Sequence, residues 1–171
     1  MNQIVLTGFM GAGKSTVGKI LAEKLALPLV DIDTEIQSEH QVSITEIFAN
    51  LGEPAFRKLE HQMLTRALLQ DAIISTGGGI ILSDENRMKL EAADFVVYLK
   101  TSPDTFLARL KGDTTRPLIQ EKSRDEIIAL CESRTKLYES VAHLILETDE
   151  LTPEEIAVQI KQAFQTRKEL L

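Results

Sequence analysis

Short apolar runs alternate with longer helical patterns along most of the chain. The runs are rich in β-branched and leucine side chains, and each is followed by a turn or a helix signal. They lie at residues 4–6, 28–30, 72–75, 94–99 and 143–146. Buried runs of this length, separated by helices, are typical of parallel strands covered on both faces. The pattern therefore predicts a three-layer α/β/α fold around a five-stranded parallel sheet.

The helical stretches between these runs have recognisable boundaries. A first helix is predicted from about Lys14 to Leu25, and a polar helical stretch extends to about Leu69. The last helix opens at Thr152 with a cap, a proline at its first position and early acids. The polar segment at about 111–123 interrupts the helical pattern and predicts a lid loop. Without a linker or repeat, residues 1–171 are predicted to form a single domain with a helical insertion at about 33–62.

A glycine-rich segment after the first strand matches a complete phosphate-binding P-loop. Gly8-Phe9-Met10-Gly11-Ala12-Gly13-Lys14-Ser15 follows a predicted strand and precedes a predicted helix. Its glycines let backbone N–H groups approach phosphate oxygens, and the helix N-terminus adds a favourable dipole. We expect Lys14 to reach the β- and γ-phosphates of ATP and Ser15 to ligate Mg²⁺. The expected ATP site includes Gly11, Ala12, Gly13, Lys14, Ser15 and Thr16.

Length, charge and composition narrow the class of protein. A GTPase would be expected to carry an Asn-Lys-x-Asp motif, which the sequence lacks, and a motor would usually exceed 171 residues. The formal net charge of −7 argues against a nucleic-acid partner. A single cysteine, no leader pattern and no long apolar stretch favour a cytoplasmic protein without a membrane segment. Because no apolar surface stripe is evident, a monomer is the default expectation.

Polar and glycine residues follow the second and third strands, where ligands of parallel sheets bind. Asp31 is suited to hold a magnesium water, and Asp33 to orient a substrate hydroxyl for in-line attack. An alternative is that Asp33 merely caps the next helix. The glycines at 77–79 offer a backbone surface onto which a ligand can press, although a plain flexible turn is the other interpretation.

Two arginines suggest that the phosphoryl acceptor is an acid. Arg57 precedes Glu60 by three residues, a spacing at which the carboxylate can steer the guanidinium. Arg134 lies in Ser133-Arg134-Thr135-Lys136-Leu137-Tyr138. A guanidinium fits a carboxylate through two parallel hydrogen bonds, although a single arginine is more often a solvated surface residue.

These motifs together resemble the shikimate kinases. The resemblance extends from about residue 2 to 164 and rests on the order and spacing of six motifs. They are the P-loop, Asp-x-Asp, Phe-Arg-x-x-Glu, Gly-Gly-Gly, Arg-Pro-Leu and Arg-x-x-Leu-Tyr. The P-loop is generic, whereas the combination of the other five is specific. The resemblance implies a P-loop NTPase fold with strand order 2-3-1-4-5. It also implies ATP-dependent phosphorylation of shikimate to shikimate 3-phosphate in the synthesis of chorismate and aromatic amino acids.

The resemblance also implies roles for individual residues. Lys14, Asp33 and Arg116 would be catalytic, with Arg116 on the lid stabilising charge on the transferred phosphoryl group. Arg109 and Pro153 would contact the adenine, and Asp31 would support Mg²⁺ beside Ser15 through a water molecule. Shikimate would be held by Asp33, Arg57, Gly77, Gly78, Gly79 and Arg134.

One departure and two alternatives remain at this point. The family's adenine loop often carries a further basic residue, which the segment at 148–153 lacks. A gluconate or nucleotide kinase of the same fold is one alternative, but it should lack the triglycine and the Phe-Arg-x-x-Glu arrangement. A non-catalytic nucleotide-binding relative is the other, and it is argued against by the presence of Lys14, Asp33 and Arg116.

Overall fold

The computed structural model describes residues 1–111 and 122–171. Most of the predicted lid loop, including Arg116, lies outside these described residues. In chain order the elements are β1 Gln3–Thr7, α1 Lys14–Leu25, β2 Leu29–Asp31, α2 Ile32–His40, α3 Ile44–Ala67, β3 Ala72–Ser75, a 3₁₀ helix Gly78–Leu82, α4 Asp84–Glu91, β4 Val96–Lys100, α5 Pro103–Leu110, α6 Arg124–Val141, β5 Leu144–Glu147 and α7 Pro153–Leu170.

The described strands form a parallel sheet in the order β2-β3-β1-β4-β5, which confirms the predicted topology. One face packs against α1 and α7, and the opposite face carries α2, α3, α5 and α6. The three-layer prediction is therefore confirmed. Within the described residues, no helix is long and apolar enough to cross a membrane.

The edge of the sheet differs from the expectation of five buried strands. β1 and β3 are buried along their whole length, whereas residues of β5 alternate between half-buried and exposed. Ile145 in β5 is 45% exposed. An edge strand has a neighbour on one side only, so its outer side chains receive less cover.

Helix boundaries follow local capping chemistry. The side chains of Ser43, Ser83, Ser123 and Thr152 each accept a hydrogen bond from the backbone N–H three residues later, which starts α3, α4, α6 and α7. The predicted helical stretch up to residue 69 is not continuous. It is broken at Gln41, which adopts a left-handed conformation, and α3 is kinked at Gly52, where φ is 82°.

We expect the central strands to carry much more of the stability than the edge strand. Ile73→Ala empties a fully buried position in β3 and should lower the free energy of unfolding by about 2–5 kcal/mol. Ile145→Ala, the same substitution in half-exposed β5, should cost less than half as much. Urea unfolding of both variants measures the difference, and equal losses would contradict this account of the core.

Candidate active site

The P-loop encloses a small cavity at the carboxyl end of β1. The backbone must turn sharply there: Gly8 has φ of 146°, and a Cβ at this position would lie 2.7 Å from the carbonyl oxygen of Leu99. Lys14 Nζ donates to the carbonyl oxygens of Gly8 and Phe9 at 2.5 and 3.0 Å. The cavity has a volume of about 200 Å³ and is lined by Gly11, Ala12, Gly13, Lys14, Ser15, Thr16, Asp31, Asp33, Thr76, Gly77 and Arg109.

The two residues predicted to contact adenine lie in different places. Arg109, in the last turn of α5, extends over the P-loop, where its Nη1 donates to the carbonyl oxygen of Gly11 at 2.8 Å. Pro153 begins α7 and does not line the phosphate cavity among the described residues. The two adenine contacts therefore stay predictions.

Asp31 joins the P-loop to the second strand. Its Oδ2 accepts a hydrogen bond from the Ser15 hydroxyl at 2.5 Å, and its Oδ1 accepts from the backbone N–H of Thr34 at 3.1 Å. Asp31 is therefore the residue that caps α2, and the alternative in which Asp33 serves as the cap is wrong. Asp33 lies in the first turn of the helix, two residues beyond the capping position, and lines the P-loop cavity.

A second cavity adjoins the first. It has a volume of about 240 Å³, and Ser15, Asp31, Asp33 and Gly77 line both cavities. α2, α3, the triglycine segment and α6 surround it. Its other lining residues are Met10, Thr34, Gln37, Ile44, Phe48, Phe56, Arg57, Glu60, Gly78, Gly79 and Arg134. The structure thus brings Asp33, Arg57 and Arg134 to the same cavity, next to the P-loop.

Neither arginine of this cavity is a solvated surface residue. Arg134 is only 3% exposed, and its Nε has no hydrogen-bond partner among residues 1–111 and 122–171. Its guanidinium carbon lies 5.9 Å from the centre of the Phe9 ring. A buried guanidinium with an unsatisfied donor is costly unless an anionic or polar group completes its hydrogen bonds. The cavity is therefore suited to an acidic ligand.

Arg57 is held by a buried carboxylate on its own helix. Its Nη1 donates to Glu60 Oε1 at 3.0 Å, as the three-residue spacing predicted, and Glu53 lies on its other side. Glu60 is 1% exposed, and burial raises the pKa of its carboxyl to about 7, against the opposing effect of Arg57. Glu60 Oε2 has no hydrogen-bond partner among the described residues.

The triglycine segment, residues 77–79, leads into a 3₁₀ helix in which Gly78 and Gly79 are buried. Its glycines make room for charged side chains. A Cβ on Gly79 would lie 2.1 Å from Arg57 Nη1, and a Cβ on Gly77 would lie 3.1 Å from both Asp33 Oδ1 and Glu60 Oε2. The glycine backbone that we expect to contact a ligand therefore also packs against the side chains of Arg57, Asp33 and Glu60.

Sequence reasoning did not place Glu60, Gln37 or Met10 among the site residues. Glu60 was noted only as a partner of Arg57, although an acid three residues from a site arginine was a usable signal. Gln37 and Met10 gave no signal of their own, because a polar residue on a helix and an apolar residue in a loop are common. Phe48 and Phe56 also line the cavity, with ring centres 4.9 Å apart.

Comparison with known proteins gives a consistent result. The family model described as "Shikimate kinase" matches residues 10–165. A shikimate kinase of Enterococcus faecalis is 44% identical over 164 residues, which are 95% of this chain and 98% of that protein. The family-model match includes the lining residues of both cavities and strands β2 to β5.

Solved structures agree with the sequence relatives. The structure of shikimate kinase from Acinetobacter baumannii in complex with shikimate superposes with a TM-score of 0.93 at 37% identity, covering 98% of this chain and 95% of that chain. Deoxyadenosine kinase from M. mycoides, at 18% identity and a TM-score of 0.61, covers 94% of this chain and 99% of that chain and shares the fold alone. The chain belongs to the shikimate kinase family.

Proposed function

We propose that this protein transfers the γ-phosphoryl group of ATP to the 3-hydroxyl of shikimate, giving shikimate 3-phosphate and ADP in the synthesis of chorismate and aromatic amino acids. One observation carries the proposal. Asp33, Arg57 and Arg134 line a cavity that shares a wall with the P-loop cavity, so an acidic acceptor bound there would face the terminal phosphate of a nucleotide.

The acceptor cavity offers complementary groups for a hydroxylated ring acid. The substrate carboxylate would bind Arg57 and Arg134, and it would complete the hydrogen bonding of the buried Arg134 Nε. Asp33 would accept a hydrogen bond from the 3-hydroxyl and take its proton as that oxygen attacks. The new O–P bond forms while the bond between the γ-phosphorus and the β–γ bridging oxygen breaks, and ADP leaves.

The P-loop would stabilise the charge on the transferred group. We propose that Lys14 exchanges its contacts with the Gly8 and Phe9 carbonyls for phosphate oxygens, and that Arg116 approaches from the lid. The Ser15 hydroxyl and the Asp31 carboxylate, 2.5 Å apart, are hard oxygen donors of the kind that Mg²⁺ prefers. They would hold the ion, Asp31 through water, and the ion would neutralise phosphate charge.

The remaining predicted roles belong to the same proposal. Gly77–Gly79 would contact shikimate, Thr16 and the P-loop backbone would bind phosphates, and Arg109 and Pro153 would lie near the adenine. The insertion at about 33–62 would bind the acceptor, and the lid at about 111–123 would close over ATP. We also propose a cytoplasmic location, because the one cysteine, Cys131, is free and buried, and a monomer, because the sequence shows no apolar surface stripe.

The alternatives are weaker. A gluconate or nucleotide kinase would share the fold, but the family match and the two cavity arginines favour shikimate. A non-catalytic relative is disfavoured because Lys14 and Asp33 both line the P-loop cavity.

An acceptor panel tests the proposed function directly. ADP release should be fast with shikimate and absent with gluconate and nucleoside monophosphates. Asp33→Asn should lower kcat by about 10²–10⁴-fold, because the hydroxyl loses its proton acceptor, while ATP affinity measured by calorimetry changes little. Turnover of gluconate or a nucleotide without turnover of shikimate would overturn the proposal.

Arg57 should contribute to the binding of shikimate and not to the binding of ATP. Arg57→Ala should raise the shikimate KM by about 30- to 1,000-fold, as expected when a buried charge-assisted contact worth about 2–4 kcal/mol is lost. Arg66→Ala is the matched control, since Arg66 lies on the same helix in an exposed pair with Glu39. Steady-state kinetics with each substrate varied measure both, and an equal effect of the two variants would refute the assigned role.

Glu60 should make stability depend on pH. In the unfolded chain its carboxyl ionises near 4.5, whereas in the folded protein it keeps its proton to about 7. Between these values the folded state binds the additional proton, so the Glu60 contribution decreases as pH rises and levels off above pH 7. The free energy of unfolding of the wild type, relative to Glu60→Gln, should fall by about 2–3 kcal/mol from pH 5 to pH 8.

Urea unfolding at several pH values measures this difference. Glu132→Gln, at an exposed position on α6, is the control and should leave the pH profile unchanged. A difference between wild type and Glu60→Gln that is flat, or that grows with pH, would show that the Glu60 carboxyl is ionised throughout.

A further inference from the structure

The segment that carries the triglycine is anchored at both ends. Upstream, the Thr76 hydroxyl donates to the Leu6 carbonyl oxygen at 2.8 Å, which ties the segment to β1. Downstream, the side-chain amide of Asn86 donates to the Ile80 carbonyl oxygen at 3.0 Å, which ties it to α4. Neither bond holds Gly78, which lies between these two anchors and lines the acceptor cavity.

Tyr138 supplies a hydrogen bond at that middle position. Its hydroxyl donates to the carbonyl oxygen of Gly78 at 2.5 Å, and its side chain is 0% exposed. Its ring stacks on Tyr98 with centres 5.0 Å apart and planes inclined by 27°, so the direction of the hydroxyl is determined by packing. Burial raises the pKa of this hydroxyl, which therefore remains a hydrogen-bond donor at neutral pH.

The same tyrosine lies one helical turn from Arg134. Residues four apart on a helix share a face, and the Arg134 guanidinium interacts electrostatically with the Tyr138 hydroxyl. α6 therefore carries on one face both Arg134, which lines the acceptor cavity, and Tyr138, which is bonded to Gly78. A displacement of α6 relative to Gly78 would move Arg134 relative to the cavity.

The other arginine of the acceptor cavity, Arg57, contacts the same segment. The Arg57 guanidinium packs against Gly79, where even a methyl group would overlap it. The triglycine thus contacts the Arg57 guanidinium through Gly79 and is bonded to α6 through Gly78. The distance between the two arginines depends on this connection.

We propose that Tyr138 is a positioning residue for the acceptor, whose hydroxyl ties α6 to Gly78 and so sets the separation of Arg57 and Arg134 to match one substrate carboxylate. The inference rests on the proposed function, because it assumes that both arginines bind the carboxylate of shikimate. Two guanidinium groups grip one carboxylate only within narrow limits of distance and angle, so a small displacement loses much of the binding.

The test compares Tyr138→Phe with Tyr98→Phe. Both substitutions remove one buried hydroxyl and keep the stacked rings, but the Tyr98 hydroxyl interacts with Thr135 and not with the glycines. Tyr138→Phe should raise the shikimate KM about 10-fold, because a buried carbonyl loses its donor and the arginines lose their fixed separation. The ATP KM should stay within about twofold, and Tyr98→Phe should leave both KM values within about twofold.

A double-mutant cycle with Arg134→Ala separates positioning from general destabilisation. If the Tyr138 hydroxyl acts through Arg134, the two substitutions should not have independent effects. The double variant should then lose kcat/KM for shikimate by a factor at least about threefold smaller than the product of the two single-variant losses. The cycle of Tyr98→Phe with Arg134→Ala should be multiplicative. Assays are run at 15 °C, with circular dichroism to confirm folding.

The outcomes distinguish the two proposals. Wild-type protein without shikimate turnover would refute the proposed function itself. With active wild type, four results would overturn the role of Tyr138 alone: an unchanged shikimate KM, equal effects on shikimate and ATP, multiplicative losses with Arg134→Ala, or a Tyr138→Phe variant that does not fold at 15 °C.

Discussion

The burial of charge beside the P-loop is the constraint on which the site depends. Arg134 and Glu60 are almost completely removed from water, and each keeps a polar atom without a hydrogen-bond partner among the described residues. Such groups are costly to bury unless nearby charge or a ligand compensates them. The fold therefore keeps a buried Arg134 donor whose hydrogen bonding an acidic ligand would complete.

The sheet makes this arrangement possible. Parallel strands deliver the P-loop, Asp31 and the triglycine to the same edge, because the carboxyl ends of neighbouring strands lie side by side. Glycines at that edge allow the guanidinium of Arg57 to lie against the backbone, where larger residues would exclude it. Helices α3 and α6 then contribute Arg57 and Arg134 to the lining of the cavity. Strand order, glycine placement and helix packing thus together determine the geometry of the acceptor cavity.

The sequence was sufficient for the sheet and for most of the site. The periodic apolar runs and the capping signals predicted the strands and the starts of α1 and α7, because both depend on neighbouring residues alone. The break at Gly52 and the capping of α2 by Asp31 were not predicted, since each depends on a choice between similar local conformations. The burial of Arg134 was beyond local reasoning, because it arises from the packing of α6 on residues far away in sequence.

The contrast between net charge and local charge explains how an acidic chain can bind two anions. The 26 acidic residues outnumber the 19 lysines and arginines, yet Lys14 and Arg134 are buried and Arg57 is mostly covered. A cation in a low-dielectric cleft acts on a bound anion with little screening, whereas surface acids are screened by solvent and salt. Glu60 offsets part of this positive field, and its high pKa makes the offset greatest in alkaline solution. The same burial that reduces the stability of the fold therefore gives the cleft its preference for a carboxylate.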